Sequence, residues 1–334
     1  MYTEFNKHDV AVYAGYLDKD EKLLQSASGG IATALSEFML EQGGSVVGVS
    51  YSEDFSKAEY TVIDKISDLH KLKGSKYIDS EKKNIYATVK ALLEEEKKVL
   101  FIGLPCVVGA LYHFLGSRPE NLITCELICH GPTLPKVHSD YVTYLERKHK
   151  SKITEFSVRY KNGAWVPGYL RAKFQNGQVF QKPFYETEYG IAFATLGKES
   201  CYQCKFKGNN RQADLMVGDF WGATEADVFW NSYGVSCIFA ETEKGDAFLK
   251  ATSGIKLFPT TFERAVESNQ MVIKSKSRHA KRDKFAEDLA KKDVIYAAKQ
   301  TLSYRSRIRK IVFKFVPKGF KSKLAKLGRK ILGR

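Results

Sequence analysis

Strand-like and helix-like patterns alternate in the N-terminal part of the chain, and this alternation limits the fold more than any other feature. Val10–Tyr16, Ser45–Tyr51 and Tyr60–Ile63 have the short apolar or alternating patterns of strands. Ile31–Glu41 and Lys83–Lys98 instead repeat apolar residues at helical spacing. Alternation of this kind predicts an α/β fold with a mixed sheet.

A further apolar run, Val99–Gly103, has the composition of a buried strand and leads directly into the loop Leu104-Pro105-Cys106. Proteins with α/β sheets commonly bind ligands at loops that follow the carboxyl ends of strands. This loop is therefore a candidate functional position.

The middle of the chain is richer in strand patterns, and beyond Thr260 the sequence turns helical and basic. The strand candidates of the middle part are Thr154–Tyr160, Tyr169–Phe174, Val179–Phe184, Asp214–Gly218 and Val235–Glu241. Asn176-Gly177 lies between two of them and favours a tight hairpin. We predict an α/β N-terminal domain, an α+β domain that bears the cysteines, and a helical extension with a basic tail, at residues 1–98, 99–262 and 263–334.

Positive charge is concentrated at the C-terminus. The net charge is +15, and Arg305–Arg334 contains twelve Lys or Arg residues and no Asp or Glu. Apolar residues at helical spacing, first from Ile308 and again from Phe320, give this tail an amphipathic character that suits an anionic membrane surface. The alternative is a basic helix packed on the protein's own body. Nucleic acid is the least favoured partner of the tail, because the body lacks the motifs of nucleic-acid-binding modules.

The six cysteines occur in a chain whose polar N-terminus has no signal-sequence core and whose apolar runs are too short to span a membrane. The expectation is a soluble protein of the reducing cytoplasm, peripheral at the inner face of the cell membrane if the tail binds there. In that compartment cysteines are more often metal ligands or buried thiols than disulfides.

Four of the cysteines lie in turns or loops. Cys201 and Cys204 form a Cys-x-x-Cys turn, which can direct two thiolates at one metal centre. Cys106 follows a proline and Cys129 lies close to a Gly-Pro pair, so the chain can turn sharply at both. These two complete a candidate set of four ligands.

The remaining two cysteines, Cys125 and Cys237, lie within apolar strand patterns and are expected to be buried thiols. The spacing of the other four permits either a structural zinc ion or a [4Fe–4S] cluster, because both bind four thiolates. Spacing alone leaves this choice open.

Six short motifs occur in a fixed order along the chain. They are Ser28-Gly-Gly-Ile-Ala, Gly74-Ser-Lys-Tyr, Gly103-Leu-Pro-Cys, Cys129-His-Gly-Pro, Cys201-Tyr-Gln-Cys and Ala213-Asp-Leu-Met-Val-Gly-Asp-Phe-Trp-Gly. In this order they resemble the beta subunits of coenzyme F420-reducing hydrogenases and dehydrogenases, a family that also includes 7-hydroxymethyl chlorophyll a reductase. The resemblance covers residues 10–260.

The resemblance implies a flavoprotein that carries FAD beside a [4Fe–4S] cluster, with Cys106, Cys129, Cys201 and Cys204 as the cluster ligands. The sequence departs from the family's pattern at Val107, where Gln is expected, so a polar contact near the cofactor is expected to be missing. Relatives of this kind accompany cell-surface polysaccharide synthesis, which the resemblance extends to this chain as an expectation.

Two loops are candidates for binding FAD. Ser28 precedes a helical pattern and is expected to cap it, and Gly29 and Gly30 leave room for a phosphate at the first backbone N–H groups. The second loop combines two cations, a ring and small residues, and consists of Lys73, Gly74, Ser75, Lys76 and Tyr77. The alternative for the first loop is an ordinary capped helix start, and the alternative for the second loop is a solvated basic turn.

Three further residues lie near the motifs. Asp214 and Asp219 are five positions apart around an apolar run, so they face opposite sides of a strand and are not expected to form an acid/base pair. Asp219 is expected to fix a loop in which Trp221 covers the cluster or the flavin. His130 is a candidate hydrogen-bond or proton donor, or a structural histidine.

The leading hypothesis is an iron–sulfur flavoprotein oxidoreductase that passes electrons between FAD and a [4Fe–4S] cluster and serves a small molecule or a partner enzyme. The alternative is a non-enzymatic, zinc-stabilised module that docks on a membrane or on nucleic acid through the basic tail.

Overall fold

The computed structural model describes residues 10–302. The predicted amphipathic helices of the basic tail, Arg305–Arg334, therefore lie outside the described residues. The strands of residues 10–302 are β1 Ala11–Leu17, β2 Ser45–Tyr51, β3 Ala58–Ile63, β4 Val99–Gly103, β5 Leu122–Leu127, β6 Ile153–Lys161, β7 Gly168–Phe174, β8 Val179–Pro183, β9 Leu215–Asp219, β10 Ser236–Ala240 and β11 Ile255–Pro259.

The helices of the same residues are α1 Asp20–Leu24, α2 Ile31–Glu41, α3 Ile85–Glu94, α4 Pro105–Leu115, α5 Pro135–His149, α6 Glu188–Thr195, α7 Glu199–Tyr202, α8 Glu243–Ala251, α9 Phe262–Glu267, α10 Arg282–Lys291 and α11 Val294–Thr301. Short 3-10 helices lie at Ile66–Lys71, Phe184–Glu186, Gly208–Asn210 and Gln270–Val272.

The larger sheet has eight strands in the order β11-β1-β10-β9-β5-β4-β2-β3. Its centre, from β2 through β4 and β5 to β9, is parallel, and the other neighbours pair antiparallel. Parallel strands are stable when helices cover both faces, and the apolar composition of β4 and β5 fits such burial. The mixed-sheet α/β prediction is confirmed.

Both faces of this sheet are covered by helices. On one face α2 and α8 pack through Ile31, Leu35 and Leu249 against the parallel strands. On the other face α3 and α4 pack through Val89 and Leu111, while α9 covers the neighbouring strands β1, β9 and β10. Burial of these apolar side chains is the main stabilising contribution, at about 25 cal/mol for each square ångström removed from water.

The smaller sheet is an antiparallel meander of β6, β7 and β8. The predicted hairpin is confirmed, because β7 and β8 are joined at Asn176-Gly177 and Gly177 has a φ of 81°. The helices α5, α6, α10 and α11 share a hydrophobic core with this sheet, so the helical C-terminal part packs on the middle of the chain.

The larger sheet joins the first two predicted segments. β1 pairs with β10 and β11, although β1 belongs to residues 1–98 and its partners to residues 99–262. The segment boundaries themselves stay a prediction. Within residues 10–302, no helix is both long and apolar enough to cross a membrane.

Candidate cofactor site

The predicted cluster ligands lie at one edge of the larger sheet, and the prediction of a loop at Cys106 is wrong, because this residue lies in the first turn of α4. β4 and β5 are parallel, so the residues that follow them meet at the same edge. Cys106 is the second residue of α4, directly after Pro105, and Cys129 lies two residues beyond the end of β5. Cys201 lies in the short helix α7, and Cys204 follows after the helix ends.

All four predicted ligands line one cavity of about 90 Å³. Cys106 is exposed, whereas the other three, Cys129, Cys201 and Cys204, are partly buried. Within residues 10–302, no three His, Cys, Asp or Glu side chains are arranged closely enough to hold a single metal ion.

The thiols of this cavity influence one another electrostatically. Burial raises the pKa of Cys129 to about 11, and the neighbouring Cys106 and Cys201 add to the rise. Desolvation by the surrounding protein, followed by the proximity of other cysteines, also raises the pKa of Cys106 and of Cys201. A metal centre must therefore displace protons from these thiols when it binds.

The backbone beside Cys129 contacts the sulfur of this residue. The N–H of Gly131 donates a hydrogen bond to the Cys129 Sγ at 3.2 Å, a type of contact that tunes iron–sulfur centres. Gly131 has a φ of 83°, and a Cβ there would lie 3.2 Å from the Cβ of Cys201. Both the left-handed backbone and the close approach favour glycine at this position.

Lysines surround the cysteine cavity. Its lining includes Lys82, Lys198, Lys207 and Lys276. Lys82 and Lys198 both pair with Asp79, at 2.8 and 2.7 Å. Lys207 is buried and donates to the carbonyl oxygen of Cys129 at 2.8 Å. These cations can offset the negative charge of a centre bound by four thiolates.

A larger cavity of about 370 Å³ lies next to the cysteine cavity. It opens at the carboxyl ends of β2, β4, β5 and β9, where α/β sheets commonly bind ligands. The segment Cys129–Pro132 lines both cavities and so forms a common wall. Burial lowers the pKa of His130, within this wall, to about 4, so its imidazole is neutral at neutral pH.

Six of the eight predicted FAD-binding residues line the larger cavity: Ser28, Lys73, Gly74, Ser75, Lys76 and Tyr77. The prediction that Ser28 caps the following helix is wrong, because the N-cap of α2 is Gly30. Ser28 instead donates to the carbonyl oxygen of Gly218 at 3.1 Å and accepts from the hydroxyl of Ser236 at 2.9 Å.

Gly29 and Gly30 are buried and lie behind the cavity lining. A Cβ on Gly29 would lie 2.3 Å from the carbonyl oxygen of Gly15, and one on Gly30 would lie 2.4 Å from the Leu17 side chain. Close packing against β1 therefore accounts for both glycines. Their role in binding a phosphate stays a prediction.

The two lysines of the second loop differ. The Lys76 ammonium donates to the backbone carbonyls of Lys71, Leu72, Lys73 and Gly74, at 2.9 to 3.3 Å. Burial lowers the pKa of Lys76 to about 7, and these four acceptors act in the opposite direction by favouring the charged form. Lys76 is therefore engaged in contacts within the loop. Lys73 is the other lysine of this loop, and it remains for contact with a ligand.

A network of charged and aromatic groups closes one side of the larger cavity. Arg159 donates two hydrogen bonds to the carboxylate of Asp219, at 2.8 and 3.0 Å, and one to the Tyr77 hydroxyl at 3.1 Å. Asp219 also accepts from the indole N–H of Trp165 at 2.9 Å. The ring of Trp221 stacks on Trp165 and lines the cavity.

Two parts of one protein family match the chain. The family is Coenzyme F420 hydrogenase/dehydrogenase, beta subunit; its N-terminal part matches residues 12–82 and its C-terminal part matches residues 96–258. Together these ranges cover more than half of the sequence, including all four clustered cysteines. The chain belongs to this family. Membership in a family of hydrogenase and dehydrogenase subunits supports an iron–sulfur redox protein.

One solved structure similar to this family member is a chain of the F420-reducing [NiFe] hydrogenase complex from Methanosarcina barkeri, determined with xenon. The two chains are 16% identical, with a TM-score of 0.49, over 87% of this chain and 94% of that chain. No curated protein sequence matches the chain.

The other cysteines and the first aspartate line neither cavity. Cys125 and Cys237 are fully buried in β5 and β10, so the prediction of buried thiols is confirmed. Asp214 is buried and accepts hydrogen bonds from the backbone and side chain of Thr124, both at 2.8 Å. Asp214 and Asp219 therefore hold different parts of the structure, as their spacing predicts.

Sequence patterns missed several residues that line the site. Arg159, Lys207, Asn269 and Lys276 belong to no motif, and each lines a cavity. Only the position of Lys207, three residues after Cys204, offered a local signal. The remaining three depend on tertiary packing.

Proposed function

We propose that the chain is an iron–sulfur flavoprotein oxidoreductase that holds a [4Fe–4S] cluster on Cys106, Cys129, Cys201 and Cys204 and FAD in the larger cavity. The observation that carries this proposal is the common wall: Cys129–Pro132 lines both cavities, so the two cofactors would be direct neighbours. FAD exchanges electron pairs with one partner and single electrons with an iron–sulfur centre.

Family membership favours a cluster over a zinc ion in the cysteine cavity, because the family consists of hydrogenase and dehydrogenase subunits. All four thiols line this one cavity. The ring of lysines and the Gly131 N–H directed at Cys129 also suit a negatively charged sulfur-bound centre.

The larger cavity fits a flavin in size and lining. Sites that bury most of a cofactor-sized ligand typically span about 300–1,000 Å³ and combine apolar walls with a few polar groups. This cavity, at about 370 Å³, has walls of Ile31, Val49 and Leu72, with Lys73 and Arg159 among its cations. These residues would orient the flavin and exclude water from it.

An anaerobic reductive titration of the purified chain tests the proposal. A flavin with a one-electron cluster should take up about three electrons per chain, two for FAD and one for the cluster. Uptake of about two electrons per chain would indicate a flavoprotein without a cluster. No uptake would exclude the redox function altogether.

We propose a small-molecule or protein redox partner for a cytoplasmic enzyme, held at the inner face of the membrane by Arg305–Arg334. A link to cell-surface polysaccharide synthesis also stays a prediction. Deletion of residues 305–334 should abolish sedimentation with anionic vesicles and leave both cofactors in place, whereas the alternative of a zinc-stabilised docking module predicts no flavin or iron in either form.

A further inference from the structure

A short segment beyond the family match lies against both cavities. The match ends at residue 258, and the chain then forms α9 and the 3-10 helix Gln270–Val272. Residues 269–276, called here the clamp segment, follow directly after α9. Asn269 lines the larger cavity and Lys276 lines the cysteine cavity.

The clamp segment holds the chain on either side of the cysteine cavity. The hydroxyl of Ser275 accepts a hydrogen bond from the backbone N–H of Cys204 at 3.0 Å. Lys207, which also donates to the carbonyl of Cys129, donates to the carbonyl of Met271. The buried ammonium of Lys207 therefore joins the clamp segment to the loop that contains the predicted ligand Cys129.

Lys276 brings a positive charge into the cysteine cavity. Its side chain is partly buried, and the ammonium donates to the carbonyl oxygen of Phe193 at 2.8 Å. Cys129 and Cys201 are close enough to interact with it electrostatically. Lys274, two residues earlier, is exposed and lines neither cavity.

Asn269 carries a buried acceptor without a partner. The residue is 2% exposed, and its Nδ2 donates to the carbonyl of Ala265 at 2.9 Å. That bond fixes which way the amide points, and within residues 10–302 its Oδ1 accepts no hydrogen bond. A buried acceptor without a donor is destabilising, and a ligand donor in the adjoining cavity would satisfy it.

We propose that the clamp segment is part of the cofactor site, with a separate task for each of three residues. Ser275 positions the backbone of Cys204, Lys276 supplies a positive charge to the bound cluster, and Asn269 Oδ1 accepts a hydrogen bond from an N–H or O–H group of the ligand in the larger cavity. The inference rests on the proposed function, because it assumes that the two cavities hold the cluster and the flavin.

The task of Ser275 is tested by the rate at which the cluster is lost to an iron chelator. Ser275→Ala should lose its visible absorption about fivefold faster than the unmodified protein, since the Cys204 N–H loses its acceptor. Ser275→Thr keeps a hydroxyl and should restore the slow rate. The matched control is Ser277→Ala, at an exposed serine. Equal rates for Ser275→Ala and Ser277→Ala would overturn this task.

The task of Lys276 is tested by the midpoint potential of the cluster. Reduction adds negative charge, so a nearby cation favours the reduced form. Lys276→Met keeps the length and removes the charge, and it should shift the potential to a more negative value. Lys274→Met should leave the potential unchanged. The same potential in both variants would overturn the assigned task.

The task of Asn269 is tested by titrating flavin-depleted protein with FAD. Asn269→Ala should bind FAD about tenfold more weakly while its iron content stays at the wild-type level. The control is Gln270→Ala, at the exposed neighbouring residue. FAD affinity equal to that of the control would show that Asn269 has only a structural role.

Failure of this inference can be distinguished from failure of the proposed function. Unmodified protein without iron, sulfide and flavin would remove the proposed function and the inference together. Unmodified protein with both cofactors, combined with variants that match their controls, would overturn only the inference.

Discussion

The two cavities that share Cys129–Pro132 differ in size, in charge and in the elements that build them. The cysteine cavity is about 90 Å³ and is surrounded by lysines and by loops that follow strands or short helices. The other is about 370 Å³ and lies directly on strand ends, with apolar and aromatic walls. The first suits a compact negatively charged centre and the second a planar organic group, so the difference indicates two distinct cofactors.

The difference extends to what supports each cavity. In the wall of the larger cavity, Tyr77 stacks on Phe193 with ring centres 4.6 Å apart, and Tyr189 packs in the adjoining hydrophobic core. The cysteine cavity instead depends on polar contacts of Lys207, Lys198 and the clamp segment. The larger cavity is therefore expected to keep its shape without a ligand, whereas the cysteine cavity gains much of its order from the bound metal.

The largest expected effect follows from removing the ligand that both cavities share. Cys129→Ala should lower the iron content to about a tenth of the wild-type value or less, because the cluster loses one of its four thiolates. Flavin should remain bound in the larger cavity. Iron analysis of Cys125→Ala supplies the control, since Cys125 is buried in β5 away from both cavities. Iron loss in the control would break the distinction between ligand and core cysteines.

The opposite result, loss of flavin without loss of iron, is expected when a larger side chain fills the larger cavity. Ala32 lines this cavity from α2, and Ala32→Phe should reduce the bound flavin to about a tenth or less and leave iron unchanged, at a cost to stability of about 1–3 kcal/mol. Flavin released on denaturation measures the effect. Ala87→Phe, at an exposed position of α3, should retain flavin. Loss of iron together with flavin would mean that the cavities do not act separately.

The third prediction concerns the network beside the larger cavity. Arg159→Met leaves the partly buried carboxylate of Asp219 without its bidentate partner and should lower the free energy of unfolding by about 3–5 kcal/mol. The exposed pair of Lys173 and Glu155, in the same sheet, provides the control. Lys173→Met should cost less than about 1 kcal/mol in a denaturant titration. Similar losses of unfolding free energy in Arg159→Met and Lys173→Met would show that the Arg159–Asp219 pair contributes no more than an exposed ion pair.

The fourth prediction concerns pH and the core behind the larger cavity. His138 is fully buried, its Nε2 donates to the carbonyl oxygen of Phe55 at 2.7 Å, and its Nδ1 lies 3.3 Å from the Tyr189 hydroxyl. Burial lowers the pKa of His138 to about 4. The unfolded chain binds this proton near the ordinary pKa of about 6.5, so the free energy of unfolding should fall by up to about 3 kcal/mol between pH 6.5 and 4.

His138→Phe isolates that contribution. The variant loses two hydrogen bonds at all pH values, but its free energy of unfolding should change less steeply than that of the wild type between pH 6.5 and 4. Denaturant titrations at several pH values measure the slope. Parallel slopes for the two proteins would show that His138 does not govern the acid response.

Local patterns predicted much of the fold. The bounds of Ile31–Glu41, Ser45–Tyr51 and Val99–Gly103 agree with the structure, because strong periodicity and adjacent glycines mark their ends. β11 was missed, and so were several helices, among them α4, α5 and α8. β11 is a short, half-exposed strand whose pairing with β1 is remote in sequence, and α5 has a mostly polar composition.

The candidate site could be predicted only in part. The four clustered cysteines and the loop Lys73–Tyr77 are local signals, and the structure brings them to two adjoining cavities. The predicted capping role of Ser28 is wrong, because its hydroxyl is hydrogen-bonded to the backbone carbonyls of Gly218 and Val235, far along the chain. Lys276 and Asn269 could not be identified, because their importance depends on contacts between segments that only folding brings together.

The central claim, two cofactors on either side of one wall, is tested most directly by chemical analysis of anaerobically purified protein. We predict about four iron and four acid-labile sulfide per chain, with about one FAD released on denaturation. A colourless protein that contains about one zinc per chain and no flavin would contradict the account.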